Sequence, residues 1–162
     1  MKIGVISDTH VPTYVPDLPR KIFDTFQGVD LILHAGDMVR FDVVHELETL
    51  APVKAVAGNM DTFRNQGLLP DKRIVTAGQC RIGLIHGWGS PAGLEQRVLR
   101  AFLDDSVHAV VFGHSHNALC REHNGILVFN PGSPTSGNPS GYNSVGMLTV
   151  DGNSVHGQII RL

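Results

Sequence analysis

Seven side chains with an affinity for metal ions stand just past apolar runs in this 162-residue chain: Asp8, His10, Asp37, Asn59, His86, His114 and His116. Their spacing is regular. Asp8-Thr9-His10 and His114-Ser115-His116 place donors at i and i+2, which point the same way in extended chain and can reach one ion. Asp37 and Asn59 each follow a glycine, Gly36 and Gly58, read as permitting a backbone bend that a Cβ would resist. His86 closes an apolar run and precedes Gly87. Any one of these is weak, since Gly-Asp and Gly-Asn are ordinary turn dipeptides. Five strand ends that all carry Asp, Asn or His are another matter. Strand ends of one sheet converge in space, and mixed imidazole and carboxylate donors suit Mn, Fe, Zn or Ni. The set points to metal-ion chemistry at a two-metal centre.

The elements that must position these donors are legible as periodicity. Residues 2–7, 30–34 and 52–57 read as buried strands, and residues 18–26 and 42–50 as amphipathic helices between them. Strand, helix, strand, helix, strand implies right-handed crossovers and a largely parallel core. Residues 73–77 and 80–85 flank Gly78-Gln79 as a hairpin, residues 92–103 read as a helix, and residues 107–112 as another buried strand. Further hairpins are expected at Asn124-Gly125 and at Asp151-Gly152-Asn153. Residues 131–142, rich in Gly, Ser, Pro and Asn, read as a loop at the mouth of the site. The fold class is α/β, with parallel strands dominating early and hairpins late.

Composition bounds the rest. The length suits one domain spanning residues 1–162, able to bury a core without staples. A net charge of −2, with no basic run longer than Lys72-Arg73, leaves no nucleic-acid footprint. The apolar run at residues 3–6 is too short for a signal-peptide core or a membrane span, so no membrane partner and a cytoplasmic location are expected. Cys80 and Cys120 are too few for a disulfide framework and read as two buried thiols.

Taken in order, Asp8-Thr9-His10, Gly36-Asp37, Gly58-Asn59-Met60-Asp61, His86-Gly87 and Gly113-His114-Ser115-His116 resemble the calcineurin-like metallophosphoesterase superfamily. The form His34-Ala35-Gly36-Asp37 and the run Asn130-Pro131-Gly132-Ser133 look like its small prokaryotic phosphodiesterases, the YfcE-like group. The resemblance implies a four-layer α/β/β/α sandwich, two mixed sheets flanked by helices, around a binuclear centre. It implies that Asp8, His10, Asp37 and His116 hold one ion, and that Asp37, Asn59, His86 and His114 hold the other, with Asp37 shared. Asp37, Asn59 and His114 are then the catalytic residues. The cofactors would be two divalent ions, manganese foremost, with nickel, cobalt, zinc, iron or magnesium as alternatives. The partner would be a small-molecule phosphate ester. Small domains of this type often self-associate, so a homo-oligomer is expected, though no residue pattern sets the copy number.

The implied reaction is phosphodiester hydrolysis. Two divalent cations about 3.5–4 Å apart bind a phosphoryl oxygen and lower the pKa of a bridging water toward ~7, giving a hydroxide for in-line attack on phosphorus. One departure stands out. The superfamily places His after the motif Asn, where it serves the leaving group, and this chain has Met60. Weak turnover of monoesters with poor leaving groups, and better turnover of activated diesters, are expected. His34 and Asp61 are candidates for supporting the ligands, and Arg64 for contacting phosphate. His45, His108, His123 and His156 are read as structural or solvent-exposed. The competing reading is a non-catalytic scaffold of the same fold, like the retromer subunit with a degraded metal site; all seven ligand positions are filled here. A hydrolase acting on C–N bonds fits isolated His motifs but not the Gly-Asp and Gly-Asn steps. The substrate itself is not readable.

Overall fold

The computed structural model describes residues 1–62, 67–135, 139 and 141–162. Strand β1 (Lys2–Ile6), helix α1 (Arg20–Phe26), β2 (Leu31–His34), α2 (Asp42–Glu48) and β3 (Val53–Ala55) alternate. Strands β4 (Lys72–Ala77) and β5 (Cys80–Ile85) form a hairpin, and α3 (Leu94–Arg100) leads to β6 (Ala109–Val111). Two more hairpins follow, β7 (Leu119–His123) with β8 (Ile126–Asn130) and β9 (Ser144–Asp151) with β10 (Ser154–Arg161).

The strands form two five-stranded mixed sheets, ordered β10-β9-β1-β2-β3 and β4-β5-β6-β8-β7. Strands β1, β2 and β3 are parallel, as are β5, β6 and β8. The early parallel run and the late hairpins are as expected, but β8 also continues the parallel core of the second sheet. Between the sheets lies one apolar layer, built from Ile3, Val5 and Leu33 on one side and Ile82, Leu84, Val111 and Phe129 on the other. Helices α1 and α2 cover the outer face of the first sheet through Ile22, Phe26, Val43 and Leu47. Helix α3 covers the second through Leu94 and Val98, with Phe102 just beyond it. The result is the α/β/β/α sandwich. Gly4 sits on the helix-facing side of β1 because a Cβ there would stand 3.0 Å from the Phe26 ring, and Gly83 does the same beneath Phe102 at 2.8 Å.

Regular elements are shorter than their apolar periods suggested. Helix α1 begins only after Pro19, and α3 ends at Arg100, although Phe102 continues its buried face. Apolar spacing reports what is buried, and burial runs on into turns. Cys80 is buried as expected, but Cys120 is exposed, because it lies on edge strand β7, which shows its side chains to solvent. Among the described residues no helix is long and apolar enough to cross a membrane.

Candidate metal centre

Five parallel strands, β1, β2, β3, β5 and β6, release their chains at one edge of the sandwich, where ligands of open α/β sheets gather. The loops are stitched together by main-chain bonds. Asp8 N–H donates to Gly36 O (3.0 Å), His10 N–H to Asp37 O (3.0 Å), and Gly113 N–H to His86 O (3.1 Å). All seven predicted donors meet there, grading from a buried floor of Asp8, His10, Asp37 and His86 to the more open His114 and His116 and the exposed Asn59.

Two groups of donor atoms can be traced. Asp8 Oδ1, His10 Nε2 and His116 Nε2 form one, with His116 Nε2 3.4 Å from Asp8 Oδ1 and 3.2 Å from His10 Nε2. In the other, Asn59 Oδ1 lies 3.2 Å from His86 Nε2 and 3.0 Å from His114 Nδ1. Asp37 Oδ2 stands between them, 3.9 Å from His10 Nε2 and 3.3 Å from His86 Nε2. Its other oxygen, Oδ1, accepts the Met60 N–H at 2.7 Å. One carboxylate oxygen is thus anchored while the other is directed at both groups.

The donor chemistry fits a cation. His86 Nδ1–H donates to Ala35 O at 2.7 Å, so in the neutral ring Nε2 carries a lone pair aimed at Asp37 Oδ2, also an acceptor. Burial disfavours a charged His86, but the bond to Asp37 and the charges of Asp8 and Asp37 outweigh it and raise the ring to about 9. Without an ion the ring takes a second proton; a metal ion would replace that proton. Burial raises the Asp37 carboxyl, yet His86, the Met60 N–H and His10 bring it below its usual value. For His116 the bond to Asp8 prevails over burial and raises the ring, whereas burial prevails at His10 and lowers it.

Two sequence arguments need correcting. Asp8 and His10 are not in extended chain; their φ values are 55° and 45°, and those of His114 and His116 are 69° and 55°. The paired donors converge because each loop turns into left-handed backbone beyond its strand, not because strand residues alternate. Likewise Gly58 and Gly113 provide room more than bend. A Cβ on Gly113 would stand 1.9 Å from Ser7 Oγ and 2.6 Å from Asp8 Oδ2. Gly36, with φ of 92°, does need the freedom of glycine.

The supporting residues are now explicit. Asp61 accepts from Gly58 N–H and Val39 N–H, both at 2.7 Å, which locks the loop after β2 to the loop after β3. The His34 ring accepts the Gly36 N–H at Nδ1 (3.1 Å), so its Nε2–H donates to Thr9 Oγ1 (3.3 Å), joining the Asp37 loop to the Asp8 loop. Burial is the main cause that pushes the His34 ring down to about 3. Protonating it would also break the bond from Gly36. The unfolded chain takes up this proton near pH 6.5 and the folded chain does not, so stability is intact above 6.5 and falls as pH drops toward 3. His34→Gln is expected to remove up to about 1.4 kcal/mol per pH unit of slope in that window, read from urea unfolding at stepped pH. Equal slopes in both proteins would refute the role of His34.

Sequence reasoning missed the third support. Ser133 Oγ donates to Asp8 O (2.7 Å), Thr135 Oγ1 to Thr9 O (2.8 Å), and Asn130 Nδ2 to Gly113 O (3.0 Å). The Asn-Pro-Gly-Ser run therefore braces two ligand loops at once. Its signal was available, since it begins at the last residue of the apolar strand β8, much as the ligand motifs stand at the ends of theirs. Arg64 lies outside the described residues. His45, His123 and His156 are exposed, and His108 Nδ1 accepts the Arg81 N–H at 3.1 Å.

Residues 1–153 match the model of the calcineurin-like phosphoesterase superfamily domain. A probable metallophosphoesterase of Methanothermobacter thermautotrophicus is 43% identical over 162 residues, covering 99% of this chain and 92% of that protein. A solved archaeal phosphodiesterase superposes with a TM-score of 0.76 at 27% identity, covering 99% of this chain and 100% of that one. Vps29 of Entamoeba histolytica complexed with zinc superposes with a TM-score of 0.76 at 25% identity, covering 99% of each chain.

Proposed function

The chain belongs to the calcineurin-like phosphoesterase superfamily, and on that premise we propose that it is a metal-dependent phosphodiesterase whose seven strand-end donors hold two divalent ions. The observation that carries this reading is Asp37 Oδ2, poised between His10 and His86 while Oδ1 is tied to Met60. Asp8, His10, Asp37 and His116 would hold one ion; Asp37, Asn59, His86 and His114 the other. Mixed imidazole and carboxylate donors suit manganese, iron, zinc or nickel, and the family resemblance puts manganese foremost, with cobalt or magnesium as further alternatives. Such ions, when bound, draw a phosphoryl oxygen and acidify water toward ~7.

The protein's own residues do the rest. Asp37, its Oδ1 held by a main-chain N–H, presents a fixed carboxylate oxygen to both donor groups. Asn59 and His114 form the open side, where an ester can approach. His114 Nε2–H donates to Gly89 O at 2.8 Å, which orients Nδ1 toward Asn59. Asp61, His34 and Ser133 keep the loops in place. The substrate is a small phosphate ester, and an activated diester fits better than a monoester with a poor leaving group, because Met60 offers no proton to a departing alkoxide. Met60 is 49% exposed beside Asn59, so a replacement there faces the open side.

The test is a hydrolysis panel of bis-aryl and mono-aryl phosphates after reconstitution with Mn, Ni, Co, Zn or Mg. Diester turnover above monoester turnover is expected. Two bound ions and no turnover of any ester would favour the scaffold reading, which the likeness to Vps29 keeps in view. Met60→His is expected to raise alkyl phosphate turnover. A positioned general acid contributes roughly 10²–10⁴-fold, and an introduced ring without packing to orient it should recover about tenfold. An unchanged rate with metal content intact would remove Met60 from the account.

A further inference from the structure

Beside the donor set stands a side chain it does not use. Trp88 is the one tryptophan of the chain, and it is 50% exposed. Its loop is nonetheless held fast. Arg97 of α3 donates through Nε to Trp88 O (3.0 Å), through Nη1 to Ala92 O (2.9 Å), and through Nη2 to Ser90 O. From the other side, Gly89 O accepts from His114. The backbone that carries Trp88 is therefore tied both to a helix and to a proposed ligand.

Trp88 lines a cleft of about 280 Å³ together with Ala57, Asn59, Asp71, Ile85 and His86. Two walls are proposed metal ligands, two are aliphatic, and one is the indole. Ligand pockets usually run from about 300 to 1,000 Å³, so this cleft suits a single ring system rather than a whole dinucleotide. Among the described residues that line it there is no Lys or Arg. Aliphatic walls beside a half-exposed tryptophan suit a flat ring that stacks on Trp88.

We infer that Trp88 is a stacking platform for a planar aromatic substituent, nucleobase or aryl group, on a phosphate ester bound at the open side beside Asn59. This rests on the phosphoesterase reading above. It turns an open substrate question into a class: diesters with at least one aromatic arm.

Because Trp88 is the sole tryptophan, its emission reports the cleft directly. Metal-loaded protein is titrated with phenylphosphonate, adenosine monophosphate and methylphosphonate. A saturable change of emission with an aromatic probe, absent with methylphosphonate at equal concentration, is expected; the tighter aromatic probe tells aryl from nucleobase. The same change with all three, no change with any, or a change that follows protein concentration alone would overturn the inference, the last in favour of self-association. In kinetics, Trp88→Ala is expected to raise KM for a bis-aryl phosphate roughly tenfold at unaltered metal content, with Trp88→Phe recovering most of the loss. A fall in kcat and bound metal with KM unmoved would mean that Trp88 only supports the loop. Failure of the phosphoesterase reading looks different: no ester is turned over by wild-type protein with two bound ions, and the emission titration still decides whether Trp88 binds a ring.

Discussion

Asp37→Asn is expected to lower hydrolysis of a bis-aryl phosphate by about 10³-fold or more, with loss of at least one bound ion. Removing a group that merely orients a metal ligand costs roughly 10–100-fold in affinity or activity, and a shared ligand counts for more. Asp37 Oδ2 faces both donor groups, so in the proposed centre its loss would be felt twice. Asparagine preserves the shape and can still accept the Met60 N–H, and the fold should survive. What disappears is the negative charge that would offset the two cations of the proposed centre. Metal analysis and steady-state kinetics on the same preparation check the prediction. Full activity with two ions retained would show that Asp37 is not the shared ligand.

Gly58→Ala carries the second large effect, and it works through space rather than charge. A Cβ at this position would stand 2.1 Å from Asp37 Oδ1 and 2.2 Å from the Asp37 backbone nitrogen. A side-chain rotation can relieve the first contact but not the second, because main chain must move. Overpacking of this kind costs typically about 1–3 kcal/mol. At about 2–4 °C per kcal/mol for a domain of this size, the melting temperature should fall by roughly 2–12 °C. Bound metal should fall with it, since the displaced group is the proposed shared ligand. A variant with normal metal content and an unshifted melting curve would mean that the loops after β2 and β3 adjust more freely than their contacts allow.

These outcomes divide what could be read from residue types from what could not. The candidate donors were legible as a set, because Asp, Asn and His stand after five of the apolar runs and the fold gathers those run ends at one edge. Strand order was partly legible: alternation of strands and helices foretold β1, β2 and β3 side by side. The second sheet was harder. β8 pairs in parallel with β6 across a connection that contains β7, and hairpin signals at Asn124-Gly125 report only the local partner. The supports were least legible. Asp61 could have been an ordinary turn residue, and its worth appears only when Gly58 N–H and Val39 N–H, 22 residues apart from it at the farther contact, reach its two oxygens. Ser133 stands 125 residues from the Asp8 carbonyl it holds.

The amino-acid sequence alone offered the candidate chemistry: seven side chains of metal-ligating type, Met60 where the resembled superfamily has His, and an α/β order that sends five strand ends one way. Only the tertiary structure decided how that chemistry is held. The left-handed turns at Asp8, His10, His114 and His116, the space that Gly58 and Gly113 leave, and the tied loop beneath Trp88 all depend on contacts between segments far apart in the chain. Residue type reports which bonds a side chain can make. Which bonds it does make depends on what the packing of two sheets brings within about 3 Å of it.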